Sequence, residues 1–172
     1  MPPFSPELGA SFLSGKLDYA RLLDPVSWRK AKEMPGVTAA AFNQSVIQAV
    51  YMNQKKVKAF QDVRVRRAIH LAMDRHVLVD VVKDTAPMQI GGFVYPFHEA
   101  STPKAELEKR LGYQKDPKAA VQEAQKLMKE AGFGQGIKGL DFLVRDAATF
   151  KLWAVAIQAM LKENLNRSEE RR

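Results

Sequence analysis

Apolar residues recur at three- and four-residue steps through Val65, Ala68, Ile69, Ala72, Met73 and Val79, the spacing that lines one face of a helix. Asp62 is of the type that caps a helix start, so the pattern predicts one helix from about Val63 to Val82. Arg64, Arg66, Arg67 and Arg75 fall mainly off the apolar stripe, and Asp62 precedes Arg66 by four residues, the favourable order for an ion pair. The polar face is expected to be solvated.

Other helices are bracketed by start and stop residues. Ser5 with Pro6, and then Gly15, delimit a short helix over 6–14 that buries Leu8 and Phe12; Asp24 with Pro25 opens another, carrying Val26, Trp28 and Ala31, that closes before Pro35 and Gly36. Asp116, Pro117 and Gly132 frame a third, with Val121, Ala124, Met128 and Ala131 as its stripe and Phe133 folding back on Leu127 or Met128. Asp146 or Thr149 caps a last helix with a wide apolar face of Phe150, Trp153, Ala154, Ile157, Met160 and Leu161. Short runs rich in strand formers lie at 16–20, 37–42, 46–52 and 140–144. The second and third are separated by Asn43, Gln44 and Ser45, which predicts an antiparallel pair. Residues 83–117 form a long connection broken by Pro87, Gly91, Gly92, Pro96 and Pro103, with room for a helical turn only at 105–111. The expectation is an α/β chain: a mixed sheet flanked by helices.

The wording of the central stretch says more than its period. FQDVRVRRAIHLAMDR, residues 60–75, resembles the most recognisable segment of the large bacterial solute-binding proteins that serve peptide, dipeptide and nickel ABC importers, family 5 of the extracellular solute-binding proteins. In that family the segment follows a strand ending in Asn, here 50–53. Four further pieces agree in order: FLSGKLDYA at 12–20, MPGV at 34–37, DPKAAVQEAQKLMKEAGF at 116–133 and AIQAMLKENL at 156–165. The resemblance implies a partial lobe of a type II periplasmic-binding-protein-like fold. It reads residues 1–166 as part of the C-terminal lobe and 167–172 as a polar tail. It also implies non-catalytic capture of peptides or other small solutes, delivered to ABC permease subunits by two lobes closing on the ligand. The parent family is periplasmic or extracytoplasmic. A ligand-sensing domain of a regulator is the alternative use of the same fold.

Composition narrows the other classes. The chain of 172 residues is 46% hydrophobic, enough for one domain with a core, and has no apolar run long enough to span a membrane. Cysteine is absent, which excludes disulfides and thiolate metal sites. The start MPPFSPELGA lacks the pattern of a secretory signal. A net charge of +8 invites a nucleic-acid reading, and Lys55, Lys56, Lys58, Arg64, Arg66 and Arg67 do cluster. No recognition element accompanies them, so no nucleic-acid partner is expected.

Catalytic and metal chemistry find little support. Gly134 to Gly139, GQGIKG, has dinucleotide-loop spacing, yet a helix precedes it and a strand is expected after it, the reverse of what a phosphate site needs. His70 and His76 lie about 600° apart around a helix at roughly 100° per residue, so they point to different faces and share no metal. His98 with Glu99 falls in the long connection. No nucleophile elbow, zinc helix or P-loop is present. No enzyme activity, metal or cofactor is expected. Trp28, Trp153 and the methionines could stack on a ligand, but the spacing of Trp153 and Met160 is that of a helix core.

In open α/β sheets ligands collect beyond strand ends, beside helix N-termini. The stretch VRDAAT at 144–149 is the best such place, and Arg145 offers a planar fork suited to a carboxylate. Asp146 and Thr149 share that loop. In the family resembled, the corresponding loop faces the cleft, and in some members an arginine near it holds the ligand carboxylate. The plainer reading makes Arg145 an exposed partner of Asp146 or another acid. Ser45 and Gln48, in the turn 44–48 that leads into the strand ending at Asn53, and Tyr95, beside Pro96, are further candidates to line the cleft.

Overall fold

Asp62 opens the central helix as its sequence predicts: its Oδ1 accepts from the Arg64 amide at 2.8 Å. The computed structural model describes residues 5–21, 24–40, 46–83, 86 and 88–165. Its α-helices are α1 (Pro6–Leu13), α2 (Pro25–Glu33), α3 (Val63–Ala72), α4 (Arg75–Asp80), α5 (Lys104–Leu107), α6 (Lys118–Glu130) and α7 (Ala148–Asn164). A 3-10 turn at Lys58–Gln61 leads into α3.

The core is the seam between α3 and α6, closed by α7. From α3 come Val65, Ala68, Ile69, Leu71 and Ala72, with Met73 just after it; α6 supplies Ala120, Ala124, Leu127 and Met128; Ile157 and Leu165 complete it. Ala68, Ala72, Ala120 and Ala124 are buried in this seam, and side chains that small let two helix backbones approach closely. α1 and α2 pack on each other instead, through Gly9, where a Cβ would overlap the Ser27 hydroxyl and lie 2.6 Å from Asp24 Oδ2.

Local start and stop signals act as expected at several helices. Ser5 caps α1 through the Leu8 amide, and Asp24 caps α2 through the amides of Val26 and Ser27. At α6 the N-cap is Pro117 rather than Asp116, which still accepts from the Lys118 amide at 3.0 Å. α6 ends at Gly132 with φ 82°, where the Phe133 amide reaches Met128 O and the Gly132 amide reaches Lys129 O, and Phe133 packs against the core.

Two expectations need correction. The single helix over 63–82 is two helices, because Asp74 caps anew: its carboxylate accepts from the amides of His76 and Val77 while Met73 and Asp74 are extended. The mixed sheet is the second. Among the described residues no strand is formed, and no hydrogen-bonded ladder joins 16–20, 37–40, 46–52 and 140–144. A strand is a property of two segments, since each ladder bond needs a neighbour's N–H or C=O. The alternation survives without the ladder at 50–52, where Val50 and Met52 pack on the core and Tyr51 is 91% exposed. The described fold is helical. The proposed turn at 43–45, the breaker Pro87 and the tail at 167–172 lie outside the described residues.

Candidate functional site

The loop before α7 is set by its own backbone. The Ala147 amide donates to Arg145 O at 2.8 Å, a three-residue turn that points the chain into the helix, and the Lys151 amide returns to Ala147 O. Ala147 is the N-cap and bonds no side chain there, so Asp146 is not the cap. Its carboxylate pairs with Lys151 Nζ at 2.5 Å, and that bond and charge hold its pKa below the ordinary 3.8. Arg145 is exposed, with its guanidinium over the Phe150 ring at 5.4 Å. The expected Arg145–Asp146 pair does not form. The Arg145 guanidinium is stacked on an aromatic face, with no acid bound among the described residues. Thr149 lies half-buried on the first turn of α7.

The other candidates stand elsewhere. Tyr95 is half-buried in a turn, its ring edge-on to His98 at 5.4 Å. Gln48 is exposed on the extended stretch before Asn53. No hydrogen bond, ion pair or ring contact among the described residues links either to Arg145. Ser45 lies outside the described residues.

Arg75, which sequence reasoning placed in solvent, is half-buried. Arg75 Nη1 donates to Gly112 O at 2.5 Å, its guanidinium lies 4.3 Å from the Tyr113 ring centroid, and Nη2 sits 2.9 Å from the ring nitrogens of His70. Burial first, then the charges of Arg75 and Arg67, push His70 down to about 4. His76 approaches Tyr113 O at 3.3 Å. Arg75 thereby ties the long connection to the start of α4. The local signal was Asp74, a capping residue that moves Arg75 to a helix N-terminus; the partner, 37 residues on, left none.

Cavities open on the surface formed by the described residues. A groove of about 250 Å3 is lined by Gln125, Met128, Lys129, Gly134, Gln135 and Leu165, and a small one of about 20 Å3 lies between His76, Ile90, Leu107 and Tyr113. Arg145 lines neither. GQGIKG is a glycine-rich turn after α6, with Gly136 and Gly139 at positive φ. No group of three or more His, Asp or Glu among the described residues is placed to hold a metal, and no helix among them is long and apolar enough to cross a membrane.

The family model for bacterial extracellular solute-binding proteins, family 5, middle region, matches residues 5–166. The chain belongs to this family. Among family 5 relatives, the periplasmic oligopeptide-binding protein OppA of Salmonella typhimurium is 32% identical over 114 residues, 66% of this chain and 20% of that protein. OppA of Escherichia coli is 31% identical over the same shares. The chain thus spans about a fifth of the length of the curated relatives it matches. No solved structure shows a significant match. The resemblance read from the sequence is therefore to the family the chain belongs to.

Proposed function

We propose that this chain contributes one face of a peptide-capturing site in an extracytoplasmic solute-binding protein, with Arg145 receiving the carboxylate of a peptide or peptide-like solute. The observation that carries the reading is the state of Arg145: exposed, steadied on Phe150, and without the neighbouring acid, which Lys151 has taken. Membership of family 5 and the similarity to two oligopeptide-binding proteins support the solute class. Asp146 acts indirectly, by holding Lys151 and the turn. Thr149, Gln48, Tyr95 and Ser45 are proposed to line the same cleft. No bond is made or broken; the captured solute passes to permease subunits after the lobes close.

Calorimetry with short peptides tests this. Binding to the chain alone should be weak, since one lobe supplies part of the contacts. Removing the guanidinium with Arg145→Ala should abolish the heat, Arg145→Lys should retain part of it, and a peptide amidated at its C-terminus should bind the parent chain as poorly as the free peptide binds Arg145→Ala. Equal binding of free and amidated peptides would overturn the role given to Arg145.

A further inference from the structure

The stretch from Tyr51 to Arg67 carries six basic residues and a single acid, Asp62. That acid is already committed, since it pairs with Arg64 Nη2 at 2.6 Å. Lys55, Lys56 and Lys58 are exposed and form no ion pair among the described residues, and Arg67 is also exposed. Arg66 is held by the carbonyls of Phe60 and Gln61, at 2.7 and 3.0 Å, which fix its position without neutralising it.

The scaffold beneath these charges is built rather than loose. Asn53 Oδ1 accepts from the amides of Lys55 and Lys56 at 3.1 and 3.0 Å, and Asn53 O accepts from Val57, so one turn fans out the lysines. Gln61 Nε2 ties the 3-10 turn back to Gln54 O at 3.1 Å. Arg64, Arg66 and Arg67 then fall in the first two turns of α3, the end where the helix dipole is positive. Arg64 is held by Asp62 and by the Glu130 carbonyl at 2.9 Å, whereas Lys55, Lys56, Lys58 and Arg67 form no ion pair among the described residues.

We propose that this stretch docks the protein on an anionic phospholipid surface. Lysine carries a compact, strongly hydrated charge with no fixed geometry, which suits a fluid array of headgroup phosphates. Tyr51, 91% exposed, and Val63, 63% exposed, place an aromatic ring and an apolar side chain among the cations, the mixture that favours the bilayer interface. Among the described residues no groove or helix pair accompanies them to follow a nucleic-acid backbone. The inference is independent of the role given to Arg145.

Co-sedimentation with vesicles of phosphatidylcholine alone, or containing phosphatidylglycerol, tests the proposal at low and high salt. The parent chain should partition to the anionic vesicles only, and lose that partitioning in high salt. Combined Lys55→Gln, Lys56→Gln and Lys58→Gln should weaken partitioning about tenfold or more. The same charge removed at exposed Lys109, Lys115 and Lys138 should leave most of it, with circular dichroism confirming that both variants fold. Equal losses in the two triple variants, indifference to phosphatidylglycerol, or tighter binding to an oligonucleotide than to vesicles at the same salt would overturn it.

Discussion

Asn164 Nδ2 donates to the carbonyl of Ala72 across 2.8 Å, joining residues 92 apart at the point where the central helix breaks. Met160 Sδ accepts from the Asp74 amide at 3.2 Å, and Trp153 Nε1 donates to Leu78 O at 2.7 Å. One stripe of α7 therefore serves backbone groups that the break and the short α4 leave open, which is why two helices are stable where one was expected.

Removing the Asn164 amide should leave the Ala72 carbonyl without its partner. Asn164→Ala is expected to cost about 1–2 kcal/mol, read from the midpoint of urea denaturation. Met160→Leu keeps the volume and removes the acceptor, so its cost should be smaller, below about 1.5 kcal/mol. An unchanged midpoint for both variants would show that α7 does not hold the break.

The seam between α3 and α6 has little spare room. Val65, Ala68 and Ala124 are fully buried. Val65→Ala should lose about 2 kcal/mol through transfer and cavity terms together. Ala124→Leu, an overpacking change, should cost about 1–3 kcal/mol. Thermal unfolding of the two variants separates this account from a loose core, which would absorb both.

Gly9→Ala should destabilise the α1–α2 pair although alanine is the better helix former, because the added Cβ overlaps Ser27 and crowds Asp24. Ser27→Gly in the same chain should recover part of the loss. Stabilisation by Gly9→Ala alone would contradict the packing described.

His70 should make stability depend on pH in a window of its own. Its folded pKa, about 4, lies below the ordinary 6.5, so the unfolded chain takes up a proton that the folded chain refuses. Stability should therefore fall as pH drops from about 6.5 to about 4, and His70→Gln should flatten that limb. The residue keeps part of its surface in water, which makes the limb shallower than the shift alone implies. Asp24, Asp62 and Asp146 are held below 3.8, so their contributions are lost only at still lower pH. An NMR titration placing His70 near 6.5 would contradict the arrangement with Arg75.

What the sequence revealed and concealed follows the range of each interaction. Caps at Ser5, Asp24 and Asp62 and the stop at Gly132 involve partners a few residues away, so residue type alone disclosed them. The break at Met73 and Asp74 was hidden because apolar spacing continues across it, and its compensation comes from α7, far along the chain. Arg75 was assigned to solvent for the same reason: Gly112 and Tyr113 cover it from a distant loop. Strand assignments failed differently. Residues 50–52 do alternate inward and outward, yet alternation records burial and cannot supply a ladder partner. At the candidate site, the sequence located Arg145 and its loop but not the choice of Lys151 over Arg145 as the partner of Asp146.

The most direct test is an NMR titration of the isotopically labelled chain with a short peptide whose C-terminus is free, repeated with the amidated peptide. If the chain offers Arg145 to a solute carboxylate, the free peptide should shift the Arg145 side-chain resonance and the amides of 145–150, and the amidated one should not. Shifts that are the same for both peptides, or that leave Arg145 untouched, would contradict it.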